Sequence, residues 1–479
     1  MPNNKDFYID GAWVPPIARK DFAVENPADE IGFATISLGT AADLDKAVAA
    51  ARRAFGNWSR TSKEERIGYL ENLARIYKAR MGEMARTISQ EMGAPISLAE
   101  TAQAPAGYGH IKSFLRDLKE MSFEGPLYAG VTGEHILREP IGVCGLITPW
   151  NWPMNQVTLK VVPAVAVGCT VVLKPSEIAP LSSLLFAEMM HEAGFPPGVF
   201  NLVNGDGPTL GGAMSRHPDI DMMSFTGSAR AGIAVTKAAA ETVKRVTLEL
   251  GGKGPNLVFA DTDVARAVKR GALHCFNNSG QSCNAPTRML VERPVYDQAV
   301  EVAAETAGKQ SVGDPAEAGR HIGPVASKAQ FDKVQGLIRK GIEEGARLAA
   351  GGGGRPEGFD RGYYVRPTVF ADVNNGMTVA REEIFGPVLS MIPFDGEEEA
   401  IEIANDTSYG LTAYLQSDDR ERMQRVSRQL RSGMVQMNGA QRPGGSPFGG
   451  YKQSGNGREG GRFGLEDFLE VKAISGWID

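Results

Sequence analysis

Cysteine is scarce in this chain. Four occur in 479 residues, Cys144, Cys169, Cys275 and Cys283, and none forms a CxxC pair. So thin a supply excludes a disulfide-built secreted scaffold and a CxxC redox or zinc motif. Histidine numbers six, namely His110, His135, His191, His217, His274 and His321, and none stands in an evident motif. No block of positive charge appears and the net charge is −6, which argues against a nucleic-acid partner. The longest uncharged apolar run, Val161–Leu173, falls short of the roughly 20 residues that cross a bilayer. The opening "MPNNKDFYIDGAW" has no basic stretch leading into an apolar core, so no secretory leader is predicted and a reduced cytoplasmic location is expected. Internal repeats are absent. The run "GGGG" at 351–354 reads as a surface turn, because no Lys-Ser/Thr follows to open a helix. The GxGxxG dinucleotide fingerprint is missing too. Its nearest approach, Gly205-Asp206-Gly207 running to Gly211, has one residue too many.

What remains is an ordinary globular composition, 42% hydrophobic and 23% charged, in a chain too long for one core. Two or three domains are expected. Residues 41–115 read as mostly helical. Ser62 stands three residues before Glu65 as in a capping box, and Leu70, Leu73, Ile76, Tyr77 and Met81 recur at helical spacing. From residue 142 short apolar runs alternate with helix-length segments: "GVCGLITPW", "CTVVLKPS", "FNLVNG", "MMSFTGS" and "RVTLELGG". That rhythm predicts βαβ units and a parallel sheet. A second alternating block runs from "GPNLVFADTD" to "SGMVQMNG" (254–439), with Gly251-Gly252 near the boundary. Two further strand-like segments, "GEHILREP" (133–140) and "FLEVKAISGWID" (468–479), have no evident partner in either sheet, which suggests pairing with another subunit.

Ligands of parallel sheets bind beyond the carboxyl ends of the strands. "FTGS" ends one strand, where Gly227 and Ser228 are placed to offer backbone N–H groups and a hydroxyl to a phosphate. "LKPSE" ends another, with Lys174 and Glu177 suited to the two hydroxyls of a ribose. A glutamate there would repel a 2′-phosphate, favouring NAD over NADP. Taken singly, these residues also suit a solvated turn.

Three cysteines have mainly apolar neighbours, but Cys283 sits in "FNNSGQSCNAPTR" among polar and turn-forming residues. A thiol placed so is a candidate nucleophile, which must be reachable and act as thiolate; a structural cysteine and a Cys–His hydrolase stay open as alternatives. Glu249 ends the strand "TLELGG", on the face opposite Val246, Leu248 and Leu250. It is a solvated charge or a group facing a cleft. Asn151 in "PWNWP" follows another strand. Its neutral amide suits an oxyanion, or simply a Pro-bounded turn.

In this order and spacing, "PWNWP", "LKPSE", "FTGS", "LELGGK", "FNNSGQSC", "EEIFGP" and "SPFGGYKQSGNGRE" resemble the aldehyde dehydrogenase superfamily, from about residue 7 to the C-terminus. The resemblance implies an α/β fold with a Rossmann-like cofactor domain (1–121 and 142–251), a second α/β catalytic domain (252–452) and an oligomerisation arm with tail (122–141 and 453–479). It implies a homodimer or homotetramer without nucleic-acid or membrane partners. It makes Cys283 the nucleophile toward a small aldehyde, Asn151 and the Cys283 N–H the oxyanion donors, and Glu249 the base that hydrolyses the thioester; no metal is required. Lys174 and Glu177 are carried over to the adenosine-ribose contacts of NAD, Gly227 and Ser228 to the turn near the pyrophosphate, and Glu383 and Phe385 to the nicotinamide end, with Trp150, Ser176 and Gly207 as further cofactor-binding residues. NADP is disfavoured by Glu177. Lys160 and Glu459 match a proton path. Trp152, Leu159 and Phe448 match positions lining the aldehyde tunnel. No aromatic precedes Phe448 in its loop, so a wide tunnel for medium-chain or aromatic aldehydes is expected, and no group dedicated to a charged substrate is evident. A CoA-acylating relative is the alternative reaction, opposed by Glu249. A non-catalytic protein on the same scaffold is opposed by the joint presence of Cys283, Asn151, Glu249 and Lys174.

Overall fold

In the computed structural model, which describes residues 3–478, five short apolar runs become the parallel core of one sheet. Across it the strands lie in the order Arg245–Glu249, Met222–Thr226, Val143–Ile147, Thr170–Lys174 and Phe200–Leu202. Antiparallel strands close the edges: Gly455–Asn456 beside Arg245–Glu249, and the hairpin Phe7–Ile9/Ala12–Val14 beside Phe200–Leu202. Side chains alternate across the sheet, so each strand feeds two cores. Cys144, Leu146, Val171 and Leu173 join the cluster beneath the helices of 63–120 and Pro153–Val167. Val143, Ile147, Val172, Met223 and Phe225 face the opposite cluster with helix Ala41–Trp58.

Chain direction matters more than strand count. From Val143–Ile147 the chain winds outward to 170–174 and 200–202. It then returns to lay 222–226 against the other side of the first strand. The order reverses between 143–147 and 222–226, and a crevice opens at such a reversal, beyond the strands' carboxyl ends. Asn151 and the pair Gly227–Ser228 follow those two strands.

The second sheet takes its seven strands from residues 347–350, 368–371, 388–394, 288–292, 255–258, 412–416 and 434–437, in that spatial order, all parallel except the first pair. The link Leu250–Gly254 carries the chain from the carboxyl edge of the first sheet to the amino edge of the second. Cys283 stands just before strand Arg288–Glu292, at that same amino edge. The cleft between the sheets is therefore built from one carboxyl edge and one amino edge.

The two partnerless segments find each other within the chain. Leu469–Ser475 pairs antiparallel with Glu134–Pro140 along its whole length, and Glu124–Pro126 adds a third strand. The partner each segment was expected to find in another subunit is thus supplied within the chain, and Leu469–Ser475 is left at the edge of the small sheet. The tail segment also contributes 455–456 to the first sheet. Helix Lys63–Ala79 begins as the sequence predicts, with the Ser62 hydroxyl accepting the Glu65 N–H at 3.1 Å. Among the described residues no helix is long and apolar enough to cross a membrane.

Candidate active site

Cys144, Cys169 and Cys275 are buried, whereas Cys283 is half-buried. The loop that presents it is unusual. Asn278, Ser279 and Gly280 follow one another with φ of 53°, 56° and 75°. Holding a non-glycine residue there costs about 1–3 kcal/mol, and side-chain hydrogen bonds offset it. The Ser279 hydroxyl donates to the Gly323 carbonyl at 2.7 Å, and Gln281 Oε1 accepts the Ala326 N–H at 2.8 Å. Trp152 Nε1 donates to Ser282 Oγ at 2.8 Å, and the Tyr414 hydroxyl to the Asn284 carbonyl at 2.6 Å. At Gly280 any β-carbon would lie 2.0 Å from the Gly386 carbonyl oxygen, so only glycine fits.

Asn151 meets this loop. Its Nδ2 donates to the Gln281 carbonyl at 3.0 Å. That bond uses one amide proton and orients the other. Its backbone carbonyl accepts from Asn278 Nδ2 at 2.9 Å and from Gln103 Nε2 at 3.2 Å. Gln103 also donates to Asn278 Oδ1 at 3.1 Å, tying the amide-bearing and thiol-bearing segments together. Gln103 ends a one-turn π-helix, Ala99–Gln103, a distortion frequent near functional sites. No pattern in the sequence marks it.

Glu249 is 5% exposed and neither carboxyl oxygen has a hydrogen-bond partner. This decides against a solvated charge. Burial raises its pKa well above the usual carboxylate range; the charge of Glu459 adds to the rise, and Lys160 and Arg458 oppose it. Lys160, 1% exposed, donates to Glu459 Oε1 at 2.5 Å and to Ser224 Oγ at 3.1 Å. The ion pair therefore lies in the electrostatic neighbourhood of Glu249.

A cavity of about 280 Å³ is shared by Asn151 and Cys283. Its walls include Trp150, Asn151, Thr226, Gly227, Ser228, Cys283, Glu383 and Phe385. Residues from both sheets meet in it, as Trp150 and Phe385 do edge to face at 5.5 Å. Phe385 itself has φ of 59°; Gln330 Nε2 holds that turn by donating to the carbonyls of Ile384 and Phe385 at 3.0 and 2.8 Å. Gln330 and Lys333 also line the cavity and were not legible in the sequence. The link between the sheets threads between Cys283 and Glu383: a β-carbon on Gly252 would meet the Cys283 carbonyl oxygen at 2.4 Å.

Gly227 departs from expectation. Its N–H donates to the Glu249 carbonyl at 3.1 Å, so it is not free for a phosphate; the sheet ladder runs one residue past the strand. Ser228 caps helix Ala229–Ala239. Lys174 is buried and donates to the Pro175 carbonyl and, at 3.4 Å, to Glu177. The turn Gly207–Gly211 packs beside it, a β-carbon on Gly211 lying 3.7 Å from Lys174 Cε. Ser176 Oγ accepts the Ile178 N–H at 3.3 Å. Leu159 lies in the buried cluster that packs against one face of the first sheet. Phe448 is held to Glu459 by two backbone hydrogen bonds of 2.7 Å.

Burial pushes the Cys283 thiol far up, and the negative charges of Glu383, Glu249 and Glu459 push it further. Glu383 accepts the Gly252 N–H at 2.9 Å, a bond that glutamine also makes. Glu383→Gln is therefore expected to lower the thiol pKa without moving the loop. Its sign is fixed: removing a like charge favours the thiolate, so iodoacetamide should alkylate Cys283 faster than in the wild type at each pH below the plateau. Unchanged or slower alkylation would separate Glu383 from the thiol.

A half-buried thiol, an amide and an unpaired buried carboxyl, gathered between two parallel sheets beside a cleft at a strand-order reversal, define an α/β enzyme of the cysteine-nucleophile kind. The aldehyde dehydrogenase family model matches residues 13–474, and the chain belongs to that family. It is 53% identical over 478 residues to a 3-succinoylsemialdehyde-pyridine dehydrogenase from a Pseudomonas species, covering 100% of this chain and 99% of that protein. Among solved structures it matches an aldehyde dehydrogenase from Bartonella henselae at TM-score 0.98 and 56% identity, over 99% of both chains. It also matches a mutant of aldehyde dehydrogenase C from Pseudomonas syringae, complexed with NAD+ and octanal, at TM-score 0.98 and 52% identity, over 100% of this chain and 98% of that one.

Proposed function

We propose that the protein oxidises an aldehyde to the carboxylic acid with NAD, through a thioester on Cys283 hydrolysed by water. The observation that carries this reading is Glu249, buried and unpartnered in the electrostatic neighbourhood of the thiol. The Cys283 thiolate attacks the aldehyde carbon, and the free proton of the Asn151 amide with the Cys283 N–H steadies the oxyanion. Losing one such donor typically costs about 2.7–4 kcal/mol. NAD, when bound, supplies the hydride acceptor that leaves a thioester on the sulfur. Glu249 then takes a proton from the attacking water, and Lys160 with Glu459 passes it outward.

The cleft fits such a cofactor. Thr226 Oγ1 is buried without a partner, and Glu383, Phe385 and Trp150 surround the end nearest the thiol. Lys174, Ser176, Glu177, Gly207 and Ser228 hold the other end, along the carboxyl edge of the sheet, with Gly227 shaping the turn before Ser228 rather than donating its N–H, and residues 1–121 and 142–251 are the cofactor domain. Residues 252–452 form the catalytic domain. Trp152 and Phe448 wall an aldehyde channel suited to medium-chain or aromatic substrates, as the octanal of the P. syringae relative also suggests. Leu159 backs that wall. We place the enzyme in the cytoplasm as a homodimer or homotetramer. The exposed edge strand Leu469–Ser475, with Val471 69% exposed, supports assembly through the small sheet.

One experiment tests the reaction. NADH formation should follow aldehyde addition without CoA, and the product should be the free acid. Acyl-CoA formed only with CoA would favour the acylating alternative. The cofactor preference rests on Glu177. Placing a 2′-phosphate against its carboxylate brings like charges together, so kcat/KM should favour NAD. Glu177→Ser should narrow the preference by on the order of tenfold. A wild type that prefers NADP would contradict the assignment.

A further inference from the structure

A cation stands unpaired beside the aldehyde side of the site. Arg442 lies in the loop that leads to Phe448, and its guanidinium carbon sits over the Phe448 ring, 5.1 Å from the centroid. Its Nη2 donates to the carbonyls of Ser446 and Pro447, each at 3.1 Å. Those bonds tie the head group down at one nitrogen; its Nε and Nη1 protons have no protein acceptor and it has no carboxylate partner among the described residues. Two residues beyond Pro447 the loop reaches the reacting groups. A β-carbon on Gly449 would lie 2.8 Å from Glu249 Oε1. Arg442 is half-buried. Burial lowers its pKa, while the fields of Tyr414, Cys283 and Glu249 raise it. The same arginine depresses His110, whose Nε2 is hydrogen-bonded to Asn155 at 2.8 Å and whose pKa is lowered chiefly by burial. Tyr414 reaches the thiol's neighbour Asn284. Arg442 therefore lies over the Phe448 ring, in the electrostatic neighbourhood of Cys283, Tyr414 and His110.

A half-buried guanidinium with free donors and no acid is open to an anionic ligand, which would displace only water from it. Arginine presents a planar fork that fits a carboxylate in two hydrogen bonds. Phe448 beneath it offers an apolar face for a short carbon chain. Resting on the dehydrogenase reading above, we infer that Arg442 is the specificity-determining cation of the aldehyde channel, and that the substrate class is an aldehyde bearing a carboxylate at its far end, a semialdehyde of a dicarboxylic acid. The aldehyde carbon meets Cys283 while the distal carboxylate meets Arg442.

The test uses matched pairs: succinic semialdehyde against butanal, and adipic semialdehyde against hexanal, with the intact wild type, Arg442→Gln and Arg442→Lys. Charge-assisted pairs of this kind are worth roughly 10- to 100-fold in affinity. The wild type should favour at least one semialdehyde over its unsubstituted partner by about that factor in kcat/KM. Arg442→Gln should lose the preference mainly through KM, with butanal and hexanal little changed, and Arg442→Lys should keep part of it. Glutarate, which cannot react, should slow iodoacetamide alkylation of Cys283 in the wild type and not in Arg442→Gln. Equal losses on charged and uncharged aldehydes would make Arg442 a prop for the 446–447 backbone and overturn the inference. A wild type indifferent to the carboxylate would overturn it too, leaving the dehydrogenase reading intact. Oxidation of no aldehyde with NAD would remove both.

Discussion

Cys283→Ala is expected to reduce aldehyde-dependent NADH formation by roughly 10⁶-fold, the scale on which loss of a covalent nucleophile is felt, and to leave NAD binding nearly unchanged. No other thiol can substitute. Cys144 lies inside strand Val143–Ile147 and Cys275 inside helix Val264–Phe276. Burial raises both, Cys275 to about 12. Cys169 is equally inaccessible. The mutant loop should keep its shape, because its supports are the side chains of Asn278, Ser279, Gln281 and Ser282 and the Asn284 carbonyl rather than the sulfur. The proposed cofactor contacts come from both sheets and only border the thiol. Turnover by steady-state absorbance and NAD affinity by calorimetry, measured on one preparation, check both halves. Wild-type turnover in the mutant would remove Cys283 from the chemistry; lost NAD binding would show that the loop, not the thiol, was damaged.

The second large effect concerns Glu249. Glu249→Gln should release NADH in a burst of at most about one equivalent per site and then slow, the kinetic mark of a covalent intermediate that accumulates. Glutamine has nearly the same size but cannot take a proton from water, and general-base assistance is typically worth about 10²–10⁴ in rate. The steady state should fall by about that much, and intact-mass spectrometry should find an acyl group on Cys283. The pH dependence has a definite sign. The Glu249 pKa is raised, by burial first and by Glu459 second, and only the deprotonated form is a base. Wild-type deacylation should therefore rise with pH through the raised pKa, and that rise should vanish in the glutamine variant. A variant that turns over normally with water alone would end the assignment and return the acylating alternative.

Much of the fold was legible because local pattern and burial agree. The apolar runs at 142–150, 169–176, 200–205, 222–228 and 245–252 became strands since each ends in turn-forming residues; the first four are buried on both faces, as parallel strands are, and the last is half-buried at its start. The polar company of Cys283 marked it as accessible, and its three counterparts as core. Periodicity says which face a side chain takes, however, and not which strand lies beside it. So the two orphan segments looked unpaired until Leu469–Ser475 was found along Glu134–Pro140. Gly227 looked free until its N–H was found on the Glu249 carbonyl.

The residue types at the site, their order along the chain and the family they resemble were thus determined by the sequence itself. Tertiary structure alone decided the reversal of strand order that sets Asn151 beside Ser228, the close passage of Gly252 past Cys283, and the roles of Gln103, Gln330 and Arg442. The reason is physical. A buried polar group must find a partner somewhere in space, and the partner of Asn278 is Gln103, far away along the chain. Arg442 found two backbone carbonyls but no carboxylate among the described residues, a fact that only the packed loop around Phe448 reveals.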